Sequence, residues 1–517
     1  MSKLVKTYSS ALVSLDALLV TVELSVSKGF NISMVGLPDA AVRESLSRVY
    51  TACDSSDAHP KTHNTVINLS PGDVRKEGTV FDLPIAVALL AANEVIPEEP
   101  LANFVMAGEL SLDGTLQPVK GILPMAIMAR EQKFKGVIVP KENAREAAVV
   151  NDLEVYGVES LREVIDFLAG RAKLEPTVVN TREEFAQQQC FSSVDFSEVK
   201  GQPALVRAME VAAAGGHNII MIGSPGSGKS MVAKRLPTIL PPLTLHEALE
   251  TTKIYSVAGA LKGGVSLMKS RPFRSPHHTI SNVALVGGGT TPRPGEVSLA
   301  HNGVLFLDEL AEFNRVALEL LRQPLEDRTI TISRAKATFS YPASFMLVAA
   351  MNPCPCGYYN DPNRECTCPP GAPAKYLQKL SGPLLDRIDI QIETRPVDFD
   401  SLSDRRPSES SAAIRERVIK AREIQLQRFA PYPGIHCNAQ MTPRLMKQFA
   451  YVEGDAMKIL RQAMIQRDLS ARAYDRILKV ARTIADLDGS EQISLKHISE
   501  AINYRNLDRS SWGIVSV

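Results

Sequence analysis

Residues 219–236 read IIMIGSPGSGKSMVAKRL: an apolar run, a glycine-rich loop, then a segment with helical spacing. Within it Gly223-Ser-Pro-Gly-Ser-Gly-Lys-Ser230 fits G-x-x-x-x-G-K-[ST], and the flanks supply the strand before and the helix after that this motif requires. A plain glycine-rich turn is the alternative, and it needs no such flanks. Glycines let backbone N–H groups approach phosphate oxygens, and a helix N-terminus favours negative charge. The expected binding loop is therefore Gly223, Ser224, Pro225, Gly226, Ser227, Gly228, Lys229 and Ser230. Lys229 reaches the β and γ phosphates of ATP, and Ser230 ligates Mg²⁺.

Downstream, Val304-Leu-Phe-Leu-Asp-Glu309 is an apolar strand ending in two acids. Asp308 is expected to hold Mg²⁺ through water, and Glu309 to orient the attacking water. Alone, an exposed acidic strand end reads the same way; joined to the phosphate loop, the pair reads as catalytic. A further apolar strand, FMLVAAMN, ends at Asn352, placed to hydrogen-bond the γ-phosphate or the water, with a helix N-cap as the other reading. Two arginines, Arg387 in GPLLDRIDI and Arg472 in LSARAYDRI, are candidates to stabilise transferring phosphate, a contribution worth about 10³ to 10⁵ in rate elsewhere. By spacing alone either reads equally as a surface arginine.

At 517 residues the chain is too long for one core and predicts about three units. Near-continuous apolar runs ending in phosphate-site motifs predict a parallel sheet covered on both faces, so the fold class is multidomain α/β. We expect an α+β domain over 1–170, a polar linker over 171–191 carrying TREEFAQQQ, a nucleotide-binding core over 192–400, and a helical lid over 401–517 that opens on the connector SLSDRRPSESS. In the first domain LLVTVELSV, GFNISMVG, HNTVINLSP and GVIVP predict strands, and AAVRESLSRVYTA and LPIAVALLAA predict helices. The run Leu83 to Asn93 is about half the length needed to span a bilayer, so it predicts a buried helix and no membrane insertion. The N-terminal segment lacks a cleavage site, and the seven cysteines form no disulfide framework; a reducing cytoplasm is expected. A net charge of +1 places any nucleic-acid surface in local patches.

Taken with GLPDAAVRES (36–45), NLSPGDVRKEGTVFDLPIA (68–86), RPFRSPHHTISNVALVGGG (271–289), PGEVSLAHNGVLFLDELAEF (294–313) and AMNPCPCGY (350–358), these motifs resemble the ComM family of Mg-chelatase-like AAA+ proteins, also called YifB-like, over essentially the whole chain. The resemblance implies a ring, usually a hexamer, with Arg387 as an arginine finger reaching a neighbour's ATP and Arg472 as the sensor arginine of the lid. It also implies ATP-driven branch migration on DNA, single-stranded and branched and without sequence preference, during recombination and natural transformation. The alternative is a chelatase-type chaperone subunit that remodels a protein partner without DNA. The first domain resembles the proteolytic domain of Lon. Where Lon-type sequences carry a serine nucleophile, Lys76-Glu-Gly-Thr-Val80 carries valine, and Leu123 stands where the lysine base would be, with Lys120 nearby. Peptide cleavage then has no nucleophile, and an inactive protease fold is expected.

Cys354, Cys356, Cys366 and Cys368 offer four soft ligands on one loop beyond Asn352. Structural Zn²⁺ is one reading, and free thiols or disulfides are the other, since the C-x-C pairs are closer than usual. DNA contacts are expected from two insertions. LKGGVSLMKSRPFRSPHHTISNVALVGGG (261–289), with strand-like flanks, carries Lys262, Lys269, Arg271 and Arg274, and TITISRAKATFSYP (329–342) predicts a hairpin with Arg334 and Lys336 near its tip. A solvated basic surface, or packing of Arg271 and Arg274 against the nucleotide domain, is the other reading. Read as strand neighbours, His277 and His278 would point to opposite faces, which argues against a metal pair.

Overall fold

The strand Asp16–Ser27 buries Val20, Val22, Leu24 and Val26 in strict alternation, the pattern of a sheet with one face on a core. A computed structural model describes residues 3–61, 63–186, 194–289, 292–333, 338–398 and 408–505. Residues 187–191 of the expected linker and 401–407 of the expected connector lie outside the described residues. The contacts divide the chain into two compact units: Met1–Gln188 with Thr244–Lys269, and Gln189–Leu243 with Ser270–Val517.

The first unit holds a seven-stranded mixed sheet in the order Ile32–Val35, Asn64–Ser70, Asp16–Ser27, Lys3–Val13, Phe104–Met106, Gly136–Pro140, Glu154–Val158. The first hairpin and the pairing of Asp16–Ser27 with Asn64–Ser70 are antiparallel, and the other pairings are parallel. Helix Ala40–Ser55 starts where Asp39 accepts from the Val42 N–H at 2.8 Å, a cap worth about 1 kcal/mol. Every residue of helix Asp82–Ala92 is buried, as its unbroken apolar run predicts; Asp82 inside it is paired with Arg48 at 2.8 Å. Leu123 is fully buried in helix Ile122–Glu131, and Lys76 is buried with its ammonium on the Pro71 carbonyl.

Helix Leu245–Ala258 packs within this unit, although its sequence lies inside the expected core range. The Gly121 N–H donates to the Ser256 carbonyl, and the buried Glu146 accepts from the Leu123 N–H at 2.9 Å. The polar stretch before 187 forms helix Thr181–Ala186, whose Glu184 is paired with Arg145 and Lys269.

The second unit is built on a five-stranded parallel sheet, ordered Phe273–Arg274, Val304–Leu307, Met346–Met351, Ile219–Gly223, Ile390–Thr394. The central strands are buried along their whole length, which is why their sequences read as unbroken apolar runs. Helices Ser411–Phe429, Pro443–Phe449, Gly454–Gln466, Ala471–Leu487 and Leu495–Asn503 share one apolar core with the sheet. The 261–289 insertion has short strands at Phe273–Arg274 and at Gly287–Gly288, the latter paired with Arg293–Pro294, but none between them. Only Phe273–Arg274 joins the sheet; residues 275–281 form no strand, and Asn282–Val286 is a short helix capped by Ser281. Thr329–Ser333 and Thr338–Pro342 do form the expected antiparallel hairpin. Among the described residues no helix is long and apolar enough to cross a membrane.

Candidate active site and cysteine cluster

Strand Ile219–Gly223 lies between Met346–Met351 and Ile390–Thr394, so its C-terminal end is fixed by neighbours on both sides. The chain then turns through Gly226 (φ 82°) and Gly228 (φ 78°) into helix Lys229–Arg235. A Cβ at Gly226 would meet nothing within 4 Å, so this side of the loop is open to a phosphate, whereas one at Gly223 would sit 2.1 Å from Thr394 Oγ1. Lys229 Nζ donates to the carbonyls of Gly223 (2.6 Å) and Ser224 (2.9 Å) and to Ser227 Oγ (3.3 Å). Burial pushes the Lys229 ammonium down to about 8, with Asp308 opposing the shift.

Ser230 Oγ donates to Asp308 Oδ2 at 2.6 Å, and Asp308 Oδ1 accepts from the Glu309 N–H at 3.0 Å. Two hard oxygen ligands from different elements thus converge beside the loop, a donor set that suits Mg²⁺. Glu309 adopts φ 53° and ψ 46°, a left-handed conformation that costs a non-glycine residue on the order of 1–3 kcal/mol and is found at functional sites. Its carboxylate reaches His278 Nδ1 at 3.3 Å. Asn352 follows strand Met346–Met351 and no helix starts there, so the N-cap reading drops away. Beside it, a Cβ at Gly357 would lie 2.7 Å from Pro225 Cδ and 4.0 Å from Asn352 Cγ; the cysteine loop therefore packs directly on the phosphate loop.

Arg387 folds onto Glu326 and donates to the Pro383 carbonyl at 2.7 Å. Arg472, at the start of helix Ala471–Leu487, reaches Asp386 Oδ2 at 3.3 Å, so the two arginines occupy one edge of the unit. One turn on, Arg476 pairs at 3.0 Å with the fully buried Asp389. Burial pushes that carboxyl up, but Arg476 and His217 hold it well below the usual carboxylate range.

Arg271 donates to the carbonyls of Pro241 (2.7 Å), Asn302 (2.7 Å) and Pro242 (3.1 Å), and Arg274 grips Glu296 through two bonds of 2.6 Å. The Arg271 guanidinium is thus engaged with three backbone carbonyls, the packing alternative to a DNA contact. Lys262 and Lys269 lie in the segment that packs with the first unit, and Arg334 and Lys336 lie outside the described residues. His277 and His278 depart from the expectation of opposite faces. With no strand there, the turn brings their rings to 4.1 Å at 35°.

The four cysteines of the 354–368 loop are free, and their sulfurs all lie within 4.8 Å of one another. Cys354 Sγ is 3.3 Å from Cys356 Sγ and 3.8 Å from Cys366 Sγ, too far for disulfides and near the roughly 3.8 Å edge of a zinc thiolate tetrahedron. Burial pushes the Cys356 thiol up, but the Tyr358 N–H and the neighbouring thiols hold it down at about 5. The donor set fits a soft structural cation.

The family described as magnesium chelatase, subunit ChlI, matches residues 195–402, with companion descriptions matching 22–143 and, for its C-terminal part, 408–505. Competence protein ComM of Haemophilus influenzae is 42% identical over 508 residues, 97% of each chain. The protein YifB of Escherichia coli is 42% identical over 505 residues, again 97% of each chain. Lon protease 2 of Bacillus subtilis is 29% identical over 124 residues, 24% of this chain and 22% of its own, in keeping with the Lon-like reading of the first domain.

Proposed function

Because the chain belongs to the ComM and YifB type of Mg-chelatase-like AAA+ ATPases, we propose that it is a ring-forming motor, a hexamer, that hydrolyses ATP in the cytoplasm to move DNA branch points during recombination and natural transformation. The observation that carries this reading is the likeness along 97% of the chain to a protein named for competence. The buried Lys229 on the phosphate loop and the Ser230–Asp308 pair beside it support the motor itself.

In this reading Lys229 leaves the carbonyls of Gly223 and Ser224 for the β and γ phosphates, and the backbone N–H groups of Gly226, Ser227 and Gly228 line the phosphates. Ser230 and Asp308 are the residues that hold Mg²⁺, which when bound neutralises charge on the β and γ oxygens. Glu309 orients the attacking water, and Asn352 hydrogen-bonds that water or the γ-phosphate. Arg387 exchanges Glu326 for the ATP of a neighbouring subunit, and Arg472 serves as the sensor arginine of the lid. Cys354, Cys356, Cys366 and Cys368 hold Zn²⁺ as a structural clip beside Pro225. Lys262, Arg334 and Lys336 contact the DNA backbone, while Arg271 and Arg274 brace the insertion. The first domain has no peptidase role, since Val80 and the buried Leu123 supply neither nucleophile nor base.

The test is ATPase activity with and without single-stranded and branched DNA, together with movement of a labelled four-way junction. DNA-stimulated turnover and hydrolysis-dependent junction movement are expected. An active ATPase that binds no DNA at low salt and leaves the junction in place would shift the assignment to a chelatase-type chaperone acting on a protein partner.

A further inference from the structure

The turn at 275–281 belongs to none of the phosphate-site motifs, yet it touches the strand end that carries them. His278 Nδ1 lies 3.3 Å from Glu309 Oε2, and this carboxylate is otherwise open, its side chain 58% exposed. The imidazole is itself constrained. The His277 ring lies 4.1 Å away on one side, and Phe313 meets it edge-on at 6.3 Å. His277 is in turn tied to Thr279 Oγ1 at 2.9 Å, and the Ile280 N–H donates to the His277 carbonyl at 3.0 Å. Phe313 ends the short 3-10 turn Leu310–Glu312 that begins directly at Glu309, so one ring touches both ends of the five-residue segment 309–313. An exposed glutamate with free rotamers points at its target only part of the time, and a fixed ring nitrogen within reach of one oxygen narrows that choice.

We propose that His278 is a positioning residue for hydrolysis: its Nδ1 holds the Glu309 carboxylate in the orientation from which that carboxylate directs the attacking water. The inference rests on the assignment of Glu309 to the water. It adds a residue from the inserted segment 261–289 to the hydrolytic machinery, so that the chain leading into helix Asn282–Val286 is mechanically continuous with the catalytic carboxylate.

The experiment compares His278→Ala, His278→Gln, Glu309→Gln and the His278→Ala/Glu309→Gln double variant in the full-length protein. Single-turnover hydrolysis, steady-state kcat and KM, and nucleotide Kd are measured for each. His278→Ala is expected to lose about tenfold in hydrolysis rate with nucleotide Kd within about twofold of the parent, and His278→Gln, which keeps an N–H donor, to recover much of the loss. In the Glu309→Gln background His278→Ala is expected to have no further effect, because its only route to the chemistry is already gone. An unchanged rate in His278→Ala overturns the proposal. So does an equal fold-loss in both backgrounds, or a loss that appears as weakened nucleotide binding. Near-parental hydrolysis by Glu309→Gln is a separate result: it removes the role of Glu309, and the coupling falls with it.

Discussion

The Ser230 hydroxyl donates to Asp308 Oδ2 across 2.6 Å, joining the end of the phosphate loop to the end of strand Val304–Leu307. A cation held by Ser230 and, through water, by Asp308 would take the place of this bond. Ser230→Ala leaves Asp308 as the sole side-chain oxygen of the pair. We expect the Mg²⁺ concentration for half-maximal ATPase to rise about tenfold or more. A Mg²⁺ titration of turnover measures this, and an unmoved midpoint removes Ser230 from the metal.

Lys229 is held down at about 8 by burial, and the charge of bound phosphates raises it again. Below pH 8 the free protein already carries the proton, and affinity is flat. Above pH 8 binding must draw a proton from solution, so nucleotide affinity falls by up to about tenfold per pH unit until the pKa of the complex is reached. Lys229→Arg keeps its charge throughout and should flatten the profile, whatever its absolute affinity. Fluorescent-nucleotide titrations between pH 7 and pH 10 read both.

Glu309→Gln keeps every phosphate and metal contact while losing the carboxylate. Nucleotide Kd is expected to stay within about twofold, and turnover to fall on the order of 10² or more. Equilibrium binding and single-turnover hydrolysis on one preparation separate the two effects.

Arg387 cannot serve a neighbour while paired with Glu326. Arg387→Ala alone should be nearly inactive, as should Lys229→Ala. Mixed rings place some intact phosphate loops opposite intact fingers, so ATPase should reappear on mixing, with a maximum near equal proportions. No recovery in rings shown to be mixed would place the arginine in its own subunit's structure.

Elemental analysis of protein purified without added metal should find about one zinc per chain, and Cys356→Ser with Cys366→Ser should find none. Because Gly357 packs on Pro225, the same pair should weaken nucleotide binding and lower the thermal midpoint. Zinc at background level in the parent protein would leave the cluster as four thiols.

The phosphate loop, the acidic strand end and the helical lid were all legible in the sequence, because each is written in neighbouring residues with a fixed period. Contacts made across the fold were not. His278 is drawn to Glu309 by parallel pairing of Phe273–Arg274 with Val304–Leu307, a register no local pattern announces. Arg271 carries the same charge as a DNA-binding arginine, and only the positions of the Pro241, Pro242 and Asn302 carbonyls show that its guanidinium is engaged within the protein. The reading of His277 and His278 as strand neighbours failed because the chain turns at 278–279, just beyond the two residues that pair with Val304–Leu307.

The segment Thr244–Lys269 returns the chain to the unit it had left, so the polypeptide passes between the two compact units at 188/189, 243/244 and 269/270. A single cut in the gene therefore cannot release either unit whole. A fragment ending at 188 lacks helix Leu245–Ala258, and it leaves the Gly121 N–H without its Ser256 acceptor. Exchange of the whole first unit between relatives therefore requires two replacements, one for each of its segments.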